Sequence, residues 1–177
     1  MKKDNFFVIT GGPGGGKTTL LELMQANGIP YVPEVARALI SERISLNLPP
    51  RPEPFEFALQ IFEKDLGNFL RHSDDSSVRF FDRSLVDSAG MLKSHFRSQK
   101  DLDHVLNEYR YNSRVFITPP WKEIYCNDNE RDQTFEDAVR VYNELFHWYS
   151  VNGYELVVLP KDTAEARAEF IMNMILS

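Results

Sequence analysis

A single cysteine, Cys126, leaves no partner for an internal disulfide. A cysteine-built zinc site is excluded with it, and the chain suits a reducing compartment. Basic residues are in short supply: 20 Lys and Arg stand against 26 Asp and Glu, a formal net charge of −6. That balance argues against a nucleic-acid-binding surface, although it leaves room for a local basic patch. No apolar run is long enough to span a membrane. The first residues lack the apolar core of a secretory signal, because the apolar stretch from Phe6 breaks at Gly11. A cytoplasmic protein without nucleic-acid or membrane partners is expected, and the pattern sets no oligomeric state. Internal repeats and low-complexity tails are absent.

What is present suits a compact enzyme. The 177 residues are 42% hydrophobic and 26% charged, which predicts one domain over 1–177 with a substantial core. Glycine is sparse, yet five of the nine fall between Gly11 and Gly16. A packed interior gains nothing from such a cluster, since each glycine loses more backbone freedom on folding than any other residue.

The cluster matches a phosphate cradle. Gly11, then four residues (Gly12, Pro13, Gly14, Gly15), then Gly16-Lys17-Thr18 is the Walker A pattern, followed by Thr19. Without side chains the loop can wrap until its N–H groups converge on one anion. The helix that follows adds the positive end of its dipole at the same point. Lys17 would reach the β- and γ-phosphates, and the Thr18 hydroxyl would ligate Mg²⁺. The flanks agree: 6–9 reads as a buried strand and 19–26 as a helix. A nucleotide is therefore the expected ligand, and the loop itself does not distinguish ATP from GTP.

Strands and helices then alternate. Strands are expected at 29–32, 78–81, 115–118 and 154–159. Helices are expected at 34–44, over the stripe Phe55, Ala58, Phe62, Leu66, Phe69, over the stripe from Phe135 to Tyr149, and from Ala164 to Ile175. Four prolines in 47–54 break the chain, and Gly153 ends the long helix as a C′ glycine. Thr134 can cap that helix with Asp137 in the box position. Five strands separated by helices predict an α/β fold: a parallel sheet covered on both faces, with ligands beyond the carboxyl ends of its strands.

That rule selects the residues after each strand. Asp82 closes the third strand as a Walker B carboxylate would, placing it beside Thr18 to hold Mg²⁺ through water. The alternative is a surface Asp capping the next helix. Arg83 follows at the same rim. Glu34 and Arg37 follow the second strand, about one helical turn apart. A carboxylate there can accept a proton from a substrate hydroxyl, and a guanidinium can bind a phosphate or a second hydroxyl. The two could also simply pair on a solvated face.

Several segments together resemble a known family. "VITGGPGGGKTT", "VPEVARALI", "FFDRS", "YRYN", "PPWKEIY", "NDNER" and "GYELVVLP" look like the NadR-type AAA domain family of P-loop proteins, over nearly the whole chain. That family includes a nicotinamide ribose kinase domain and is similar in plan to nucleoside and nucleotide kinases. Deoxynucleoside kinases also carry a Glu after strand two, shortly followed by Val-Ala-Arg, and an acidic-Arg-Ser motif after strand three. The resemblance implies strand order 2-3-1-4-5 and an ATP and Mg²⁺ site. It makes Glu34 the general base and Asp82 an aid to Mg²⁺, while Arg83 would hold the acceptor hydroxyl and the phosphate moving towards it.

It also implies a lid over the phosphates between strands four and five. Segment 127–140 has that place, with Arg131 the lid residue and Arg140 further along the helix. Nucleotide kinases carry several lid arginines, so one is a departure. By the same analogy adenine would lie between Arg131 and the loop after strand five, where Lys161 and Asp162 begin a turn. Tyr109, Arg110 and Tyr111 precede strand four; they could face an acceptor or dock a helix. Trp121, Tyr125 and Trp148 could be core or interface.

Two function classes fit. One is a kinase moving the γ-phosphate of ATP to a hydroxyl of a small, nucleoside-like metabolite. The other is a nucleotide-dependent switch acting on a protein partner. The Asn-Lys-x-Asp motif that reads guanine is absent, which weakens a GTPase. A kinase needs an acceptor pocket, which the 46–70 insert has the size to form; a switch needs mobile loops and no such pocket.

Overall fold

The computed structural model describes residues 1–125 and 134–176. The elements run β1 (Phe6–Gly11), α1 (Lys17–Ala26), β2 (Tyr31–Val32), α2 (Val35–Ser45), α3 (Pro54–Arg71), β3 (Arg79–Asp82) and α4 (Leu85–Leu92). They continue with α5 (Gln99–Glu108), β4 (Arg114–Thr118), α6 (Phe135–Val151), β5 (Glu155–Val158) and α7 (Ala164–Leu176). The strands form one parallel sheet in the order β2-β3-β1-β4-β5, the order expected.

Alternation in β1 builds both faces of the core. Phe6 and Val8 pack with Phe81, Val115, Phe69, Leu85, Leu102 and Tyr149 on one side. Phe7 and Ile9 pack with Phe80, Phe116, Leu20, Leu21, Met24 and Ile171 on the other. Each of the four β1 side chains is buried. Ile9 pairs with Asp82 and Gly11 with Thr118, so the ends of β1, β3 and β4 form one rim.

Several boundaries differ from the sequence pattern for identifiable reasons. β2 holds only Tyr31 and Val32: Pro30 has no N–H to donate, and only its carbonyl joins the sheet, accepting from Phe80 N at 3.0 Å. The buried face of α3 is Phe57, Ala58, Ile61, Asp65 and Phe69. Phe55 is 44% exposed and lies against His95 instead, with ring centroids 4.6 Å apart. Nor is α6 a uniform core stripe. Ala138 and Tyr149 are buried, whereas Val141, Leu145 and Trp148 face a cleft. The Thr134–Asp137 capping box and the Gly153 turn (φ 76°) are as expected. Among the described residues no helix is long and apolar enough to cross a membrane.

Candidate functional site

The glycine loop joins β1 to α1 with close contacts that side chains would block. At Gly12 an added Cβ would sit 2.6 Å from the Ala138 carbonyl oxygen. At Gly14, held at φ 73°, it would sit 2.5 Å from the Tyr125 ring. Lys17 folds back into the loop and donates to the carbonyls of Gly11 (3.2 Å) and Gly12 (2.9 Å). Its ammonium is thereby held at the centre of the rim.

Glu34 and Arg83 meet across that rim. Arg83 Nε donates to Glu34 Oε1 at 3.0 Å, and Arg37 Nε lies 3.9 Å from Glu34 Oε2. Burial pushes the Glu34 carboxyl up. Arg83, Lys17 and Arg37, with the Arg83 hydrogen bond, outweigh that and hold it below the ordinary range. Arg83 is a non-glycine residue at φ 65°, a conformation costing about 1–3 kcal/mol. Its surroundings impose it. The Arg83 N–H is bound to Ile9 O at 3.0 Å, and Ser84 and Asp87 form the capping box of α4 immediately after. Asp87 also accepts from Thr10 Oγ1 at 2.6 Å and from the Tyr149 hydroxyl, and lies 3.6 Å from Arg83 Nη1. A buried carboxylate with this many donors anchors the guanidinium from behind.

Asp82 lies on the same rim, at the end of β3. It is 6% exposed, and its Oδ1 is buried without a hydrogen-bond partner among the described residues. Burial pushes its carboxyl up to about 6; Glu34 adds to this, while Lys17, Arg83 and Arg37 oppose it. A buried, orphaned carboxylate oxygen fits a cation. Among the described residues no three His, Cys, Asp or Glu side chains cluster to hold a metal. A Mg²⁺ here would therefore take most of its ligands from phosphate and water, as the Walker arrangement requires.

Two clefts open from this rim. The first, about 510 Å³, is lined by Gly14–Gly16, Lys17, Thr18, Thr19, Trp121, Ile124, Asp162–Ala164 and Arg167. The second, about 560 Å³, has apolar walls from Phe57, Ile61, Leu145 and Trp148, with Arg51, Asp65 and Arg83 among its polar groups. Lys17, Glu34 and Arg37 line both clefts.

Most residues singled out in the sequence converge here, and some do not. Pro13 lines the second cleft; Gly12 lines neither. Asp162 borders the first cleft, whereas Lys161, beside it, is exposed and lines neither. Arg131 lies outside the described residues. Arg110 is corrected: it sits at the opposite, amino edge of the sheet. There it donates to Asn152 O (2.8 Å) and Gly153 O (3.4 Å) and covers the Tyr154 ring at 4.0 Å. It closes the end of α6 and cannot meet an acceptor in either cleft. Tyr111 is core, 1% exposed, its hydroxyl accepting from Leu85 N at 3.3 Å. Trp121 lines the first cleft, and Trp148 lines the second while packing against the core behind it. Arg140 is on the surface, paired with Asp137 and Glu144.

Asp65, Asp87, Ser88 and Arg167 were not anticipated, although signals for them exist. Ser84-x-x-Asp87 has capping-box spacing. Asp65 interrupts an apolar stripe, four residues after Ile61 and four before Phe69; Arg167 stands four residues before buried Ile171. A charge on an apolar helix face signals a buried polar site.

Asp65 gives the fold a pH signature. It is 9% exposed, accepts from Ser88 Oγ at 2.7 Å, and burial pushes its carboxyl from 3.8 to about 7. Between those values the native state holds a proton that the unfolded chain has released. Stability from this group is full below about pH 4 and is lost as pH rises through about 7. The loss amounts to at most about 4 kcal/mol. Asp65→Asn keeps an acceptor for Ser88 and removes the titration. The variant should match wild type at about pH 4 and exceed its stability at about pH 8, measured by urea unfolding. An identical pH response in both proteins would remove Asp65 as the source.

Comparisons with known proteins agree with this geometry. No curated protein matches the sequence. Among solved structures, deoxyadenosine kinase from M. mycoides with dCMP and dCDP superposes with a TM-score of 0.67 at 16% identity, covering 97% of this chain and 98% of that one. The NadR protein in complex with NR gives 0.67 at 16% identity, over 98% of this chain and 51% of that one. Thymidylate kinase from Ehrlichia chaffeensis gives 0.62 at 15% identity, over 96% and 97%. At such identities the likeness is one of fold. The model of an AAA domain family matches residues 6–167, and with its phosphate loop, rim and sheet order on the page the chain belongs to that family, with a P-loop fold like that of nucleoside and nucleotide kinases.

Proposed function

We propose that the protein is a kinase that moves the γ-phosphate of ATP to a hydroxyl of a small, nucleoside-like metabolite. The observation that carries this is the junction of the two clefts at Lys17, Glu34 and Arg37. The first cleft contains the glycine loop and is the donor site. The second has ring-sized apolar walls and convergent charges, the make-up of a small-molecule site. A nucleotide switch needs the first and has no use for the second. The structures similar in fold include kinases of nucleosides and nucleotides, which favours the same class of acceptor.

The chain's own groups divide the work. Lys17 neutralises the β- and γ-phosphates. Thr18, and Asp82 through water, would hold Mg²⁺, which adds charge neutralisation on those phosphates. Glu34, kept ionised by Arg83, Lys17 and Arg37, orients the acceptor hydroxyl and accepts its proton. Arg83, held by Asp87, faces the acceptor and the transferred phosphoryl group, and Arg37 supports it from α2. Trp121 and the 162–164 turn form the walls available to a base, in the region where the Arg131 lid was expected to contribute. In phosphoryl transfer, this placement and neutralisation are most of the catalysis.

A thermal-shift panel tests the reading. Nucleosides and related metabolites are added with Mg²⁺ and a non-hydrolysable ATP analogue. A true acceptor at about 100 times its Kd should add about 2.7 kcal/mol, a rise of roughly 5–10 °C for a chain of this size. The same compound should then yield ADP and a phosphorylated product by mass spectrometry. Stabilisation by the analogue alone, with no acceptor and no product across the panel, would favour a nucleotide switch.

A further inference from the structure

Arg167 stands on α7, one turn from its start, and is 2% exposed. Its Nη1 donates to the Gly15 carbonyl at 3.1 Å, inside the glycine loop. It presses on the loop closely: a Cβ on Gly16 would lie 2.9 Å from that nitrogen. Its Nε and Nη2 are buried and have no hydrogen-bond partner among the described residues. None of the ion pairs among those residues involves it. Burial draws its pKa below the usual guanidinium value. A buried cation without a counter-charge is costly, and a lone backbone carbonyl recovers little of that cost.

The carbonyl it holds is informative. In a trans peptide the C=O and the following N–H point in opposite directions. Pinning Gly15 O against α7 therefore turns the Gly16 N–H away from α7. The peptide dipole lies between the guanidinium and whatever that N–H meets. The Lys17 ammonium and the start of α1, both attractive to an anion, line the same cleft as Arg167. The Glu34 and Asp162 carboxylates also line it, and neither pairs with Arg167 among the described residues. An oxygen-rich anion at the loop would balance Lys17, the helix end and Arg167 together.

We propose that Arg167 is a positioning residue for the donor nucleotide: it fixes the Gly15–Gly16 peptide so that the Gly16 N–H donates to a phosphate, and that phosphate offsets the guanidinium's buried charge across the peptide. The proposal rests on the nucleotide-binding reading above and extends it to a cation outside the Walker loop. It ties occupancy of the loop to the seating of α7. It also gives the donor site a buried positive charge besides Lys17.

Arg167→Met and Arg167→Lys test it against a brace that only holds the fold. Calorimetry measures ADP and inorganic pyrophosphate binding to each protein, and thermal unfolding is followed with and without each ligand. Arg167→Met removes the charge at similar volume, so the ligand-free melting temperature should be unchanged or higher. Affinity for both ligands should fall about 10-fold or more. Arg167→Lys, which keeps the charge, should recover part of the loss. In wild type, pyrophosphate should shift both the Gly16 amide and the Arg167 Nε–H resonances, a readout that needs no variant. Equal affinity in wild type and Arg167→Met would overturn the proposal and leave the nucleotide site standing. Weaker binding together with a lower ligand-free melting temperature would reduce Arg167 to a brace. Wild type that binds neither ADP nor pyrophosphate would remove the nucleotide reading and this proposal with it.

Discussion

Replacing Lys17 with alanine should lower nucleotide turnover by about 10²–10³-fold or more, the scale seen when one preorganised charge-stabilising donor is removed. Lys17 is 7% exposed, and its ammonium is tied to the carbonyls of Gly11 and Gly12. It is therefore already in place when a nucleotide arrives, and little is spent on ordering it. It also acts on its neighbours. Lys17 lowers the Glu34 carboxyl and opposes the upward push of burial on Asp82. Without it, both carboxyls shift upwards, and Asp82, already pushed up to about 6, is the one brought closer to neutral pH, just where a cation ligand is needed. Nucleotide affinity should fall as well, since the loop keeps its backbone donors and loses its charge. A coupled assay for ADP release, with titration of a fluorescent ATP analogue, measures both, and circular dichroism checks that the fold persists. Turnover and affinity equal to wild type would remove the Walker assignment altogether.

The parts of the site legible in the sequence are those whose chemistry is local. A phosphate cradle needs glycine, lysine and a hydroxyl in one short register, so Gly11 to Thr18 reads directly. Sheet order follows from strand alternation combined with the family resemblance, and the parallel-sheet rule then puts Glu34 and Asp82 on the ligand edge. What stayed hidden depends on contacts between distant segments. Arg110 precedes a strand, but parallel strands have two edges, and the ligand rule for such sheets selects the carboxyl one. Asp65 and Arg167 reach the clefts only because α3 and α7 fold over opposite faces of the sheet. The Arg83–Glu34 pair joins residues 49 positions apart. Its geometry requires the left-handed Arg83 backbone, which no propensity favours for an arginine. The helix at α4 is short and carries its signal in a single capping box, whereas α3 and α6 announce themselves over many turns.

Glu34→Gln should preserve nucleotide binding while lowering transfer to the acceptor by roughly 10²–10⁴-fold, the usual scale for a lost acid–base group. The local structure separates this from a purely structural role. Glu34 occupies the N-cap position of α2, yet its side chain makes no cap hydrogen bond. Glutamine therefore breaks no cap hydrogen bond, and losing the charge costs the start of the helix only about 0.3–1 kcal/mol of dipole interaction. Glutamine can still accept from Arg83 Nε through its amide oxygen, so the arginine should keep its place. What glutamine cannot do is take a proton. The low pKa of Glu34 fits the reaction: in a loose transition state the hydroxyl proton leaves late, and a weak, fully ionised base standing at the junction of both clefts suffices to orient and then receive it. Its ionisation lies below the ordinary carboxylate range, so it should impose no loss of rate between about pH 6 and 8. Melting temperature, ATP-analogue affinity and single-turnover transfer are measured on the one variant. A lower melting temperature with normal transfer would leave Glu34 as an ion-pair partner of Arg83 and no more. The second cleft would then lack its chemical purpose, and the balance would shift to a protein whose bound nucleotide is a signal instead of a phosphoryl donor.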